Sequence, residues 1–158
     1  MNTCTHYQRH CSLIAPCCKK VFACRLCHDQ VKDLEEKNIK QKHTLDRFKV
    51  VEIICHTCDT QQDISRQCIK CSQKFGTYTC VTCRLFDDTD KGQYHCDKCG
   101  ICRVGGEENF YHCDTCGGCY PVNGKDNHIC LKDNSKNNCP ICLENLFSST
   151  ITYTSLRC

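Results

Sequence analysis

Short strands and loops in tandem modules, with little hydrophobic core, are the fold class this sequence predicts, and three observations predict it. Of 158 residues 22 are cysteine and none is tryptophan, so apolar burial alone cannot hold the chain together. Many of the cysteines fall in pairs spaced C-x2-C. Part of the chain also repeats itself position for position, seventeen residues apart.

Cysteine this dense belongs either to a secreted disulfide scaffold or to a metal protein. The first ten residues lack the basic start and apolar run of a secretory signal. The sequence is therefore expected to work inside the cell, in cytoplasm or nucleus, where thiols stay reduced and are free to bind metal. No apolar stretch approaches the roughly 20 residues needed to span a bilayer, so a membrane role has no support.

Seven C-x2-C pairs stand at Cys24/Cys27, Cys55/Cys58, Cys68/Cys71, Cys80/Cys83, Cys96/Cys99, Cys113/Cys116 and Cys139/Cys142. Each bends the backbone into a knuckle that aims two thiolates at one tetrahedral ion, and zinc is the ion such pairs suit best. The simplest unit is Cys55 and Cys58 with Cys68 and Cys71, two knuckles nine residues apart that close a four-cysteine site.

The repeat follows. Tyr94-His95-Cys96-Asp97-Lys98-Cys99-Gly100-Ile101-Cys102 is answered by Tyr111-His112-Cys113-Asp114-Thr115-Cys116-Gly117-Gly118-Cys119, after a shorter Tyr78-Thr79-Cys80-Val81-Thr82-Cys83. With His128 and Cys130 the stretch offers nine cysteines and three histidines, which fill three four-coordinate sites. Neighbours such as His95 and Cys96 point to opposite faces of an extended chain and should serve different metals. The sites should therefore interleave as a short zinc-linked β-solenoid. The expected division is Cys80, Cys83, Cys96 and Cys99, then His95, Cys102, Cys113 and Cys116, then His112, Cys119, His128 and Cys130.

The first segment offers eight more ligands, divided as Cys4, His6, Cys24 and Cys27 for one site and Cys17, Cys18, His28 and His43 for another. Between His28 and His43 a charged run carries Val31, Leu34 and Ile39 at roughly helical spacing and reads as a short solvated helix or insert without chemistry. His10, Cys11 and His56 fit no site. Asp87, Asp88 and Asp90 read as a solvated acidic loop.

Six sites would use eighteen thiolates, so binding adds 18 negative and 12 positive charges to the formal +3 and leaves about −3. A mildly acidic surface disfavours nucleic acid, and no finger has the C2H2 spacing that places a helix in the major groove. Rival cofactors fit less well. Cys24-Arg25-Leu26-Cys27-His28 matches a haem-attachment motif, but attachment normally follows export and the only methionine is the initiator. Ferredoxin-type loops would require Cys at Gly106 and Asn123. Closed four-ligand sites leave no open position for substrate or activated water, so the metals are structural.

These residues carry a resemblance. Cys4-Thr5-His6-Tyr7, Pro16-Cys17-Cys18, Cys27-His28-Asp29 and His43-Thr44-Leu45-Asp46 resemble the CHY-type zinc finger. The repeat resembles the CTCHY-type finger that follows it, and Asn138-Cys139-Pro140-Ile141-Cys142-Leu143-Glu144 resembles the opening of a RING finger. The implied modules are 1–73, 75–135 and 136–158. Proteins of this arrangement are RING-type ubiquitin ligases. The resemblance implies a protein substrate held by the N-terminal zinc modules and a ubiquitin-conjugating enzyme contacted through the position of Ile141. In a RING, Cys139, Cys142 and Cys158 would be the first three of eight ligands, so the RING is expected to be incomplete here. That leaves a non-catalytic adaptor or decoy as the competing expectation.

Overall fold

The computed structural model describes residues 4–130 and, beyond them, Lys132, 136–139, Ile141, Leu143, Asn145 and Phe147. They fall into two units, Met1–Gln93 and Tyr94–Cys158. Strands of two to four residues dominate both, and among the described residues the only α-helix is α1, Arg25–Asp29. No helix of the described residues is long and apolar enough to cross a membrane.

The first unit is built on an antiparallel sheet of β1 (Cys11–Ile14), β2 (Val21–Phe22), β3 (Glu52–Cys55) and β4 (Gln61–Asp63), in the order β2-β1-β3-β4. Alternation sets its inner face. Cys11 and Leu13 on β1 are buried, as are Ile53 and Cys55 on β3. The register places Leu13 opposite Ile53 and Cys11 opposite Cys55. Ala15, Phe22, Leu45, Val50, Phe75 and Phe86 complete a small apolar cluster on that face. Cys11, which fits no ligand group, belongs to this core, and burial pushes its thiol pKa up to about 12.

A hairpin of β5 (Tyr78–Cys80) and β6 (Leu85–Asp87) completes the unit. Phe86 reaches the core and meets Phe75 edge to face, with centroids 6.0 Å apart. Gly76 permits the close crossing beneath the hairpin, since a Cβ there would lie 2.7 Å from the backbone nitrogen of Asp87. Asp87 departs from the expectation of a solvated loop: it is fully buried. Its carboxylate accepts from the backbone nitrogens of Gln8 and Thr89 and from Nζ of Lys91. Asp88 accepts from the backbone of Thr77 and pairs with His10 at 2.7 Å. The acidic pair is thus the latch that holds the N-terminal arm against the hairpin.

The charged run from 29 to 42 forms a π-helical turn, Gln30–Leu34, and a 3-10 turn, Ile39–Gln41. Val31, Leu34 and Ile39 are exposed, as expected of a solvated insert.

The second unit contains two equivalent hairpins, β7 (Tyr94–Cys96) with β8 (Ile101–Arg103) and β9 (Phe110–Cys113) with β10 (Gly118–Pro121). Each closes on a C-x2-C knuckle. Gly100 and Gly117 follow the knuckles at φ of 67° and 72°, and their nitrogens donate to the carbonyls of Cys96 and Cys113.

Candidate metal centres

A knuckle must reverse the chain within four residues so that two sulfurs converge. Except after Cys27, where α1 carries the chain on, the residue after the second cysteine takes a positive φ, at Asp59, Ser72 and Arg84 as well as at the two glycines. The nitrogens of Asp59 and Ser72 donate to the carbonyls of Cys55 and Cys68, both at 3.0 Å. Leu143 repeats the pattern, with φ of 60° and a nitrogen donating to Cys139. The turn that opens the RING-like segment is thus built as a knuckle too, although Cys142 and Cys158 lie outside the described residues.

Four ligand atoms converge in each of three groups in the first unit: Cys4, His6, Cys24 and Cys27; Cys17, Cys18, His28 and His43; and Cys55, Cys58, Cys68 and Cys71. In the first group the sulfurs of Cys4, Cys24 and Cys27 are 3.5 to 3.6 Å apart, and Nδ1 of His6 lies 3.5 Å from Cys27. A tetrahedron with Zn–S bonds of about 2.3 Å has edges of roughly 3.8 Å. The observed spacings fit that cage and are far beyond the roughly 2.05 Å of a disulfide. The four-cysteine group has the same edges, 3.7 Å for Cys55 to Cys71 and 3.5 Å for Cys58 to Cys68.

Helix α1 explains how two groups share one short segment. Cys24 caps it and accepts from the nitrogen of Cys27. Cys27 and His28 then leave the helix about 100° apart and serve different groups. Nε2 of His28 lies 3.3 Å from Cys17, while its Nδ1 donates to Asp29 at 2.9 Å. The same Asp29 oxygen accepts from the nitrogen of Leu45 at 2.7 Å, which fixes the approach of His43. Nδ1 of His43 donates to the carbonyl of Gln41. Its Nε2 is buried without a hydrogen-bond partner, as a metal-facing nitrogen should be. Both histidines thus have the outer-shell acceptor that sets tautomer and ring orientation in zinc sites.

In the second unit the convergence differs from the expected division. Cys96 and Cys99 meet His112 and Cys119, with Nδ1 of His112 at 3.2 Å from Cys99 and 3.6 Å from Cys96. Cys113 and Cys116 meet Cys130 and His128, at 3.6 and 3.0 Å. Cys113 and Cys116 therefore do not join His95 and Cys102, and His112 and Cys119 do not join His128 and Cys130. Nor do Cys96 and Cys99 close a site with Cys80 and Cys83.

The register gives the reason. His112 stands opposite Cys119, and His95 opposite Cys102, so each pair shares one face of its hairpin. The knuckle at the hairpin tip faces elsewhere, and Cys96 and Cys99 accept the pair from the following hairpin. The interleaving of neighbouring residues holds, but the Cys96/Cys99 knuckle takes the pair of the hairpin that follows it, where the expected division joined a hairpin pair to the knuckle after it. Nδ1 of His95 lies 3.7 Å from Cys102; in the first unit, the nitrogen of Cys83 donates to Sγ of Cys80.

The thiols within one group are pushed in opposite directions: Cys71 is raised to about 12 and Cys130 to about 11, while a group partner of each is lowered. Hydrogen bonds from the side chain and backbone of Thr60 lower the Cys58 thiol to about 6, and that from the backbone of Cys116 does most to bring Cys113 to about 6. The thiolate is the form that binds metal. His10 and His56 stand outside the groups described, paired with Asp88 and with Ser12.

The family model for the CHY zinc finger matches residues 4–78, the stretch that holds the three groups of the first unit. Residues 4–78 are a CHY zinc finger. It is 49% identical over 156 residues to the E3 ubiquitin-protein ligase SRFP1 of Oryza sativa subsp. japonica, covering 98% of this chain and 57% of that protein. It is 47% identical to the E3 ubiquitin-protein ligase RZFP34 of Arabidopsis thaliana, covering 98% and 54%. Zinc finger protein BRUTUS of Arabidopsis thaliana is 39% identical over 160 residues, 98% of this chain but 12% of that protein. The chain thus spans just over half the length of the first two relatives. Family and geometry together make this a metal-binding protein with several zinc sites.

Proposed function

We propose that this chain is the zinc-folded portion of a RING-type ubiquitin ligase. In this reading the modules at 1–73 and 75–135 hold a protein substrate and the segment from 136 contributes to recruiting a ubiquitin-conjugating enzyme, inside the cell in cytoplasm or nucleus. The observation that carries it is the alignment of 98% of the chain with relatives named as E3 ubiquitin-protein ligases. The proposed zinc ligands are the convergent groups described above together with Cys80, Cys83, His95 and Cys102. Cys139, Cys142 and Cys158 would begin the RING.

Zinc supplies folding energy and shape here. Closed four-ligand cages give it no chemical step. The ligase holds a substrate lysine near a ubiquitin thioester on the conjugating enzyme. The amine attacks the thioester carbonyl, the isopeptide bond forms, and the cysteine thiolate of the conjugating enzyme leaves, so no covalent intermediate forms on the ligase. Ile141 is 92% exposed, on the turn between Cys139 and Leu143. An apolar side chain so displayed suits the proposed contact with the conjugating enzyme.

Discharge of ubiquitin from a panel of charged conjugating enzymes tests this reading. The zinc-loaded protein should accelerate discharge, Ile141→Ala should abolish the acceleration at unchanged zinc content, and chelation should abolish it together with the fold. Absence of acceleration by folded, zinc-loaded protein across the panel overturns it.

A further inference from the structure

Arg103 ends β8, opposite Tyr94 across the hairpin. Its Nη2 donates to Sγ of Cys99 at 3.7 Å, and its guanidinium carbon lies 4.9 Å from the centroid of the Phe147 ring. Its Nε is buried without a hydrogen-bond partner among the described residues. The cation therefore leans on a metal-ligand sulfur on one side and an aromatic face on the other. Three thiolates and one histidine around Zn2+ carry a net charge of −1, which makes the group of Cys96, Cys99, His112 and Cys119 a natural counter-charge. The planar guanidinium can serve it while its face stays on Phe147.

Phe147 belongs to the turn that opens the RING-like segment. The bridge between Asn138 and Asn145 closes that turn, the nitrogen of Leu143 donates to Cys139, and the nitrogen of Phe147 donates to the side chain of Asn145. The ring is thus tied by local hydrogen bonds to the stretch that displays Ile141.

We propose that Arg103 is a positioning residue that couples metal occupancy at Cys96, Cys99, His112 and Cys119 to the placement of Phe147 and, through Asn145 and Asn138, of the turn that displays Ile141. With metal bound, Sγ of Cys99 is fixed at its corner of the group and keeps the guanidinium under Phe147. Without it, nothing ties the four ligands to one point, Sγ of Cys99 is no longer fixed beneath Nη2 of Arg103, and the hold on the cation loosens. Under the ligase reading, a zinc site outside the RING then sets how the contact for the conjugating enzyme is presented. The coupling itself does not depend on that reading.

The test places 4-fluorophenylalanine at position 147 of the zinc-loaded protein and follows its fluorine resonance alongside zinc content by native mass spectrometry. Arg103→Met should move the resonance toward that of an unpacked ring at full zinc content, and Arg103→Lys, which keeps the charge and loses the fork, should fall between. Phe147→Leu should in turn speed zinc release to a chelator from this group by about two- to fivefold, the scale of an exposed cation–π contact, with no further gain when combined with Arg103→Met. An unchanged resonance in zinc-replete Arg103→Met overturns the proposal. Should that variant fail to fold, unchanged zinc release in Phe147→Leu overturns it instead. Ubiquitin discharge run on the same proteins separates the two readings: a fluorine response in a protein without discharge leaves the coupling standing and removes the ligase.

Discussion

Sγ of Cys99 lies 3.2 Å from Nδ1 of His112, thirteen residues further on in the next hairpin. The two repeats are thus joined by a shared ligand group, and an ordinary surface histidine at this position would have no such consequence. His112→Ala should lose one zinc by native mass spectrometry and weaken that group by more than the roughly 10- to 100-fold that outer-shell losses cost. His112→Cys should restore the full zinc count, because Zn2+ accepts thiolate or imidazole at a structural corner.

Asp29 makes a subtler prediction. It accepts from His28 at 2.9 Å and from the nitrogen of Leu45 at 2.7 Å, so one carboxylate orients a ligand and anchors the segment that brings in His43. Asp29→Ala should lower zinc affinity at the Cys17, Cys18, His28 and His43 group by about 10- to 100-fold. A competitive chelator titration reads this directly. Asp29→Asn, which keeps an acceptor oxygen, should recover part of the loss.

The modular character of the chain and the convergence of Cys55, Cys58, Cys68 and Cys71 were legible in the sequence because C-x2-C spacing is itself a local geometric instruction. The eight ligands around α1 were legible as a set, and the structure divides them as expected, with the adjacent Cys27 and His28 in different groups. The pairing of Cys96 and Cys99 with His112 and Cys119 was not, because it depends on hairpin register, which places His112 opposite Cys119 and has no signature in the ligand spacing. Nor was the burial of Asp87. Three aspartates within four residues read as solvent-facing, and the donors that make burial tolerable come from Gln8 at the far N-terminus together with Thr89, Lys91 and Gln93, a convergence that only the fold brings about.

That latch can be tested by acidification. Despite desolvation, which pushes the other way, the ammonium of Lys91 and the backbone nitrogens of Thr89 and Gln8 hold the Asp87 carboxyl below the usual carboxylate value. A depressed folded pKa contributes stability that is present above the unfolded value near 4 and is lost as pH falls through the folded one. At neutral pH, Asp87→Asn should cost about 2 kcal/mol, the scale of a hydrogen bond to a charged group. By urea denaturation of zinc-loaded protein, variant and parent should converge as pH drops below about 4, to the extent that zinc is retained there.

Two glycines separate conformational strain from steric exclusion. Gly100 sits at φ of 67° and a Cβ there would touch nothing within 4 Å, so Gly100→Ala carries only the left-handed backbone penalty, about 1 kcal/mol. Ser72, in the equivalent place after Cys71 at φ of 58°, already bears that penalty, and Ser72→Gly should be neutral or slightly stabilising because the relief is offset by greater freedom in the unfolded chain. Gly76 is different in kind. A Cβ there would lie 2.7 Å from the backbone nitrogen of Asp87 and 2.9 Å from the carbonyl of Tyr78, and neither atom can swing away as a side chain would. Gly76→Ala must push the β5–β6 hairpin off the arm and break the bond from Gln8 to Asp87, so its cost in a urea melt should exceed that of Gly100→Ala severalfold. Equal costs for the two substitutions would mean that the hairpin shifts freely and that the Asp87 latch contributes little to holding it.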